Sequence, residues 1–312
     1  MKRGSRLPIH VRGALTAFFS VIVVAGCKGS PEASKAAASA APSASAAPPA
    51  RTVRLEHQAA TIGEKRHTVH TTELTLSVEF WQESEKLGTA DSHRKETYDR
   101  TLQVLGLVGD EPAKAHVHYD HYESHETAPN KPAVDSKALD GKSYVLDAAD
   151  GTLQIEGDGG KAVTREETDA LRKLHADLGK DDPVVASIGD APITLGKPLS
   201  MRKELLRALL TSESGELKSG RIWLEQVKTE GGREVAVFEW TADTHSQEDN
   251  GLEITWHMSG DAVIALAPAV TLSTSLKGSL DVSGTTYQHG ARVTLAGAGS
   301  IADEGTTAIA PP

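Results

Sequence analysis

Apolar and polar side chains alternate residue by residue in segment after segment of this chain, and few architectures accommodate that pattern. Leu74, Leu76, Val78 and Phe80 alternate with Glu73, Thr75, Ser77 and Glu79, and Leu252, Ile254, Trp256 and Met258 alternate with Glu253, Thr255 and His257. Shorter runs of the same kind hold Ala236, Phe238 and Trp240, then Val270 and Leu272, Leu280 and Val282, and Val293 and Leu295. Successive side chains of a strand point to opposite faces, so each run predicts a strand with one apolar and one polar face. Strands of that kind form antiparallel sheets with one face on a core and the other in water.

Two helices are expected between the strands. Thr164-Arg165-Glu166-Glu167 has the form of a capping box, and Leu171, Leu174 and Leu178 follow at helical spacing before Gly179 closes the segment. Ser200 is the expected N-cap of the second helix, whose apolar stripe is Met201, Leu205, Leu206, Leu209 and Leu210. Asp140-Gly141, Asp150-Gly151, Asp158-Gly159-Gly160 and Gly231-Gly232 are turn signals at hairpin distance. The reading is mainly β (α+β): strongly curved antiparallel sheet of long strands with two packed helices. It divides into two related halves, residues 52–184 and 185–305, with a disordered tail at 306–312.

The beginning of the chain carries a different signal. Lys2, Arg3, Arg6 and Arg12 form a basic segment without acids, and residues 13–26 are uncharged and apolar. That is an export signal, too short for the ~20 apolar residues a bilayer span needs. It ends in Val24-Ala25-Gly26-Cys27, which resembles the lipobox of bacterial lipoproteins; an ordinary secretory signal with a chance cysteine is the plainer alternative. The resemblance implies removal of residues 1–26 and a diacylglyceryl group on Cys27, with a further acyl chain on the new amino terminus. Cys27 is the only cysteine, so no disulfide is available.

Residues 27–51 hold the modified cysteine and a low-complexity tract of Ala, Ser and Pro. Extended at ~3.1 Å per residue, it reaches on the order of 60 Å from the membrane. Such a tract behind a lipobox is similar to predicted myxobacterial lipoproteins, and Lys28, in place of an Asp, points to the outer membrane by analogy with enterobacterial sorting. Loss of the four cations of the signal takes the net charge from −10 to −14. With no basic stripe interleaved with aromatics, nucleic acid is not an expected partner.

Candidate chemistry is sparse. His116, His118, His121 and His125 fall within ten residues together with Asp120 and Glu123. Imidazole and carboxylate suit zinc or copper. On a regular strand, His116, His118 and Asp120 would share one face and His121, Glu123 and His125 the other; the plain reading is a solvated edge strand with Val117 and Tyr119 turned inward.

Ser200-Met201-Arg202-Lys203 has the Ser-x-x-Lys spacing of a serine nucleophile, but its companion Ser-Asp-Asn and Lys-Thr-Gly motifs are absent, as are His-Glu-x-x-His and Gly-x-Ser-x-Gly. Asp147, Asp150 and Asp158 are read as turn residues rather than calcium ligands. Trp81, Trp223, Trp240 and Trp256 fall in expected strands, as core residues or as a cavity lining.

A curved sheet wrapping its helices resembles the half-barrel lipoproteins of the Lol carrier and mycobacterial lipid-carrier type. The expectation is therefore a non-enzymatic cell-envelope lipoprotein, anchored by lipid, whose body binds a hydrophobic ligand or an envelope protein. No cofactor is expected beyond that lipid, with zinc or copper at the histidines as the alternative.

Overall fold

The computed structural model describes residues 51–210, 216–247, 251–288 and 291–312. The signal segment, Val24, Ala25, Gly26, Cys27 and the tract to residue 50 lie outside the described residues. The first part of the body runs β1 (Thr52–Val53), β2 (Lys65–Gln82), β3 (Glu85–Val108), β4 (Glu111–Thr127), β5 (Val134–Ser136), β6 (Ser143–Asp147) and β7 (Gln154–Gly157). Helices α1 (Arg165–Leu174) and α2 (Pro183–Ile188) follow, then β8 (Ile193–Thr194), β9 (Pro198–Ser200) and α3 (Lys203–Leu210). The remainder is strand: β10 (Glu216–Glu230), β11 (Arg233–Gln247), β12 (Leu252–Leu266), β13 (Ala269–Gln288) and β14 (Ala291–Ala310).

β1 pairs with β8, and all other strands belong to one antiparallel sheet of twelve, ordered β7-β6-β4-β3-β2-β14-β13-β12-β11-β10-β9 with β5 beside β4. The expected class is therefore the observed one: mainly β, one large antiparallel sheet curved around its helices and not closed into a barrel. Two meanders build it, β2 to β4 and β10 to β14, and the pairing of β14 with β2 joins them along Thr294↔Trp81 to Ala310↔Lys65. Gly231 and Gly232, at φ +55° and +82°, supply the left-handed turn that lets β10 return as β11.

The inward positions are those the alternation predicts: Leu252, Ile254, Trp256 and Met258 are buried, as are Phe238 and Trp240. Two main cores result, on the same side of the sheet. One packs α2 and α3 against β10 to β13 around Leu206, Phe238, Trp240 and Ile264, and the other packs Leu171 of α1 against Tyr98, Val117, Tyr119 and Tyr144. Each apolar side chain fully buried in this way contributes about 1.5–3 kcal/mol.

Several expectations are corrected. There are three α-helices among the described residues, because Pro183–Ile188 forms α2 behind an Asp182 cap. The boundary at residue 185 falls inside that helix, and Val184 and Val185 bury together in one core. The capping box at Thr164 is present, but α1 ends at Leu174 with His175 as C-cap, so Leu178 packs on the core from a turn. Ser200 is not an N-cap: it lies in β9 opposite Arg221, its backbone taken by the sheet, and α3 starts at Lys203. Residues 306–310 are the end of β14, paired with Arg66, His67, Thr68, Val69 and Lys65, and not a tail.

Candidate functional site

Between the two cores the sheet leaves a cavity of about 1040 Å³. It is lined by residues of β2, β3 and β11 to β14, by α3, by Asp182 at the start of α2, and by the end of α1 with the turn after it. The cavity extends from β3 across β2, β14 and β13 to β12, four strand spacings or on the order of 19 Å at ~4.8 Å each. Its volume sits at the upper end of the about 300–1,000 Å³ usual for small-molecule sites.

One part of the wall is apolar: Leu74, Trp256, Met258, Val270 and Ile301. Six cations also line it, Arg66, Arg94, Arg100, Lys173, Lys180 and Arg207, against the three carboxylates Glu96, Asp177 and Asp182. In a chain of net charge −10, that local balance is inverted.

The carboxylates are all engaged. Glu96 accepts from Lys173 at 2.7 Å and from Arg94 at 3.1 Å, Asp177 accepts from Lys180 at 3.3 Å, and Asp182 caps α2. Burial opposes the charge on Glu96, but Lys173 and Arg94 outweigh it and hold the carboxyl below its ordinary value.

Arg100 is different. Its Nη1 donates to the Leu174 carbonyl at the end of α1 and to His175 Nε2, both at 3.2 Å, and its guanidinium lies 4.9 Å from the centre of the Tyr98 ring. His175 Nε2 also faces the Tyr119 hydroxyl at 2.9 Å. Burial first, and the charge of Arg100 second, hold this imidazole well below its usual range, so Nε2 is an acceptor for both groups. His70 also stacks on Tyr98 at 4.9 Å and contacts the buried Asp303 at 2.9 Å, with Thr72 donating to the same carboxylate.

The histidine cluster takes another place. A bulge leaves Asp120 unpaired between His121↔Asp99 and Tyr119↔Arg100, which reverses the alternation. As a result His116, His118, His121 and His125 all face away from the buried Val117, Tyr119 and Tyr122, whereas an unbroken strand would have split them between two faces. Each meets its own acid: His116 with Asp158 at 3.9 Å, His118 with Asp120 at 3.4 Å, His121 with Asp140 at 3.2 Å and His125 with Asp135 at 2.6 Å. Asp120 converges instead with His67 and Asp99, one of two such three-residue groupings among the described residues; the other is His57, Glu111 and Asp181.

The tryptophans divide: Trp240 is in the core, Trp256 is buried at the cavity, and Trp81 and Trp223 are half-buried. Asp147 and Asp150 accept from the backbone N–H groups of Ala149 and Thr152, as turn residues do. Arg94, Glu96, Tyr98 and Arg100 form no motif in the sequence. Their signal is polar and aromatic residues at the inward positions of a strand that lies inside the sheet.

No family model matches the sequence, and no curated protein matches it. Among solved structures, one titled "Lipid-protein interactions in lipovitellin" is similar at 9% identity and a TM-score of 0.35. That likeness covers 81% of this chain and 26% of the other, so the chain spans about a quarter of its length.

Proposed function

We propose that the chain is a lipid-anchored cell-envelope protein whose β-rich body holds a hydrophobic ligand in the hollow of its sheet. The observation that carries this reading is the cavity of about 1040 Å³, with Leu74, Trp256, Met258 and Ile301 on its wall. A sheet of this size ordinarily fills its concave side with side chains, since interiors pack at crystal-like density. Here each end of the concave face is filled by its own core, and the space between them is kept open. The lipobox at Cys27 adds the membrane as the place of work, and the Ala/Ser/Pro tract gives the body room to reach a ligand there.

The test is native mass spectrometry of the full chain carrying Cys27→Ser, purified without detergent so that no covalent acyl chain confuses the reading. A bound hydrophobic molecule, released into organic solvent and displaced by a fluorescent apolar probe, is the expected result. A bare chain that also binds no apolar probe overturns the reading.

A further inference from the structure

We infer that the ligand of this cavity is an anionic amphiphile, a long acyl chain ending in a carboxylate or phosphate, whose head is held by Arg100 while its tail lies along Leu74, Ile301, Met258 and Trp256. The inference rests on the hydrophobic-ligand reading and adds the charge and orientation of the ligand.

The charge follows from the pairing on the wall. Of the six lining cations, Arg66 is taken by Glu64 at 2.7 Å, Arg94 and Lys173 by Glu96, and Lys180 by Asp177. Arg100 and Arg207 have no carboxylate partner among the described residues. Arg100 meets only neutral groups among the described residues: Nη1 donates to the Leu174 carbonyl and to His175 Nε2, and the Tyr119 hydroxyl is a further side-chain partner. Guanidinium presents its donors as a fork that fits the two oxygens of a carboxylate or phosphate. A half-buried cation that meets no anion of the protein is costly unless something with negative charge completes it.

The orientation follows from the wall's asymmetry. Arg100, Tyr98 and His175 stand at the β3 end, and Trp256 and Met258 stand on β12, four strands away. An extended chain with a polar head matches that span, whereas a compact apolar molecule would leave the guanidinium unmet. The neutral His175 has its Nε2 committed to Arg100 and Tyr119, so it fixes the guanidinium in place without adding a competing charge. Far from Arg100, Thr244 is fully buried on the same wall, and its hydroxyl has no hydrogen-bond partner. It offers a second polar point to a tail that carries oxygen.

The experiment titrates the full Cys27→Ser chain with oleate, oleyl phosphate and oleyl alcohol, which share a tail and differ in head. The expected result is that one or both anions bind about tenfold or more tighter than the alcohol. Arg100→Gln should remove that advantage by weakening both anions far more than the alcohol, and Arg100→Lys should keep part of it. If oleate and oleyl phosphate differ, the tighter one identifies the head group. Equal binding of all three, or an anion preference that survives in Arg100→Gln, overturns the anionic assignment and leaves the hydrophobic-ligand reading standing. No binding of any of the three overturns both. Where Arg100→Gln does not fold, Arg100→Lys decides the matter: a reduced anion advantage in that variant supports the assignment, and its full retention overturns it.

Discussion

Trp240 and Gly260 face each other across β11 and β12, and the indole fills the space that a side chain on Gly260 would need. A Cβ there would lie 2.8 Å from Cζ2 of Trp240 and 1.9 Å from the Ser275 carbonyl oxygen. The second obstacle is backbone held by the β12–β13 ladder and cannot swing aside. Gly260→Ala is therefore expected to cost about 3 kcal/mol or more, the upper range for overpacking, read as the shift in urea unfolding. Adding Trp240→Phe should restore little, since the carbonyl is the nearer clash. Full rescue by that second change would show that the ring alone sets the requirement for glycine.

Glu167 ties the start of α1 to the sheet. Its carboxylate accepts from the backbone N–H of Thr164 at 2.5 Å, and from Lys142 and the Tyr144 hydroxyl, both at 2.9 Å. Burial alone would raise its pKa, but Thr164, Lys142 and Tyr144 together outweigh burial and bring it down to about 2 from an ordinary value of 4.5. A depressed carboxylate stabilises the fold fully above its unfolded value, and that contribution fades as the pH falls from 4.5 towards 2. Glu167→Ala should cost about 2–4 kcal/mol at neutral pH, because it also strands the buried Tyr144 hydroxyl. Glu167→Gln keeps an acceptor for Tyr144 and should cost less, since Lys142 is half exposed and its ion pair is screened. Chemical denaturation at several pH values checks this: the wild-type chain should lose stability relative to Glu167→Gln across that acid window, and parallel curves would remove Glu167 as the cause.

What the sequence reveals of this molecule depends on where each side chain faces. β12 reads cleanly because one face meets a core and the other meets water. β3 does not, because its inward positions Arg94, Glu96, Tyr98 and Arg100 face the cavity, and a strand that lines a polar hollow loses its alternation. The far end of β14 hides for another reason: Thr306, Thr307 and Ala308 pair with β2 but pack no large side chain, so nothing but the ladder marks them as strand. The bulge at Asp120 is invisible too, since one unpaired residue leaves no compositional trace while it moves four histidines onto one face. The capping box at Thr164 was legible because its hydrogen bonds are local in sequence.

Asp182 holds α2 and β13 together. Its Oδ1 accepts from the N–H groups of Val184 and Val185 at 3.0 and 3.1 Å and from the Thr271 hydroxyl at 3.0 Å, and its Oδ2 accepts from the Thr271 N–H at 2.8 Å. Asp182→Ala should cost about 2 kcal/mol or somewhat more, a strong N-cap loss with a strand contact added. Asn is a good cap elsewhere but not here: with its oxygen on the helix, its amide group would meet the Thr271 N–H donor to donor. Asp182→Asn is thus expected to lose about 1 kcal/mol or more, measured by thermal unfolding, and an unchanged midpoint would mean that the Thr271 contact contributes nothing.

Cys27 carries the prediction about location. No helix among the described residues is long and apolar enough to cross a membrane, so attachment through the proposed lipid can be separated from attachment through the body. Each buried acyl methylene contributes about 0.8 kcal/mol; one chain gives only reversible binding, whereas two or three give a stable anchor. In its native host, the wild-type chain should sediment with membranes and carry the mass of a diacylglyceryl group on its new amino-terminal cysteine. Cys27→Ser should lose that mass: the fraction cleaved elsewhere should move to the soluble fraction, while any fraction that keeps residues 1–26 stays with the membrane through its apolar signal. Because the tract from residue 28 to residue 50 separates anchor from body, the soluble variant should unfold at the same temperature as the released wild-type body. If the Cys27→Ser chain that has lost residues 1–26 stays with the membrane after a high-salt wash, attachment comes from the folded body.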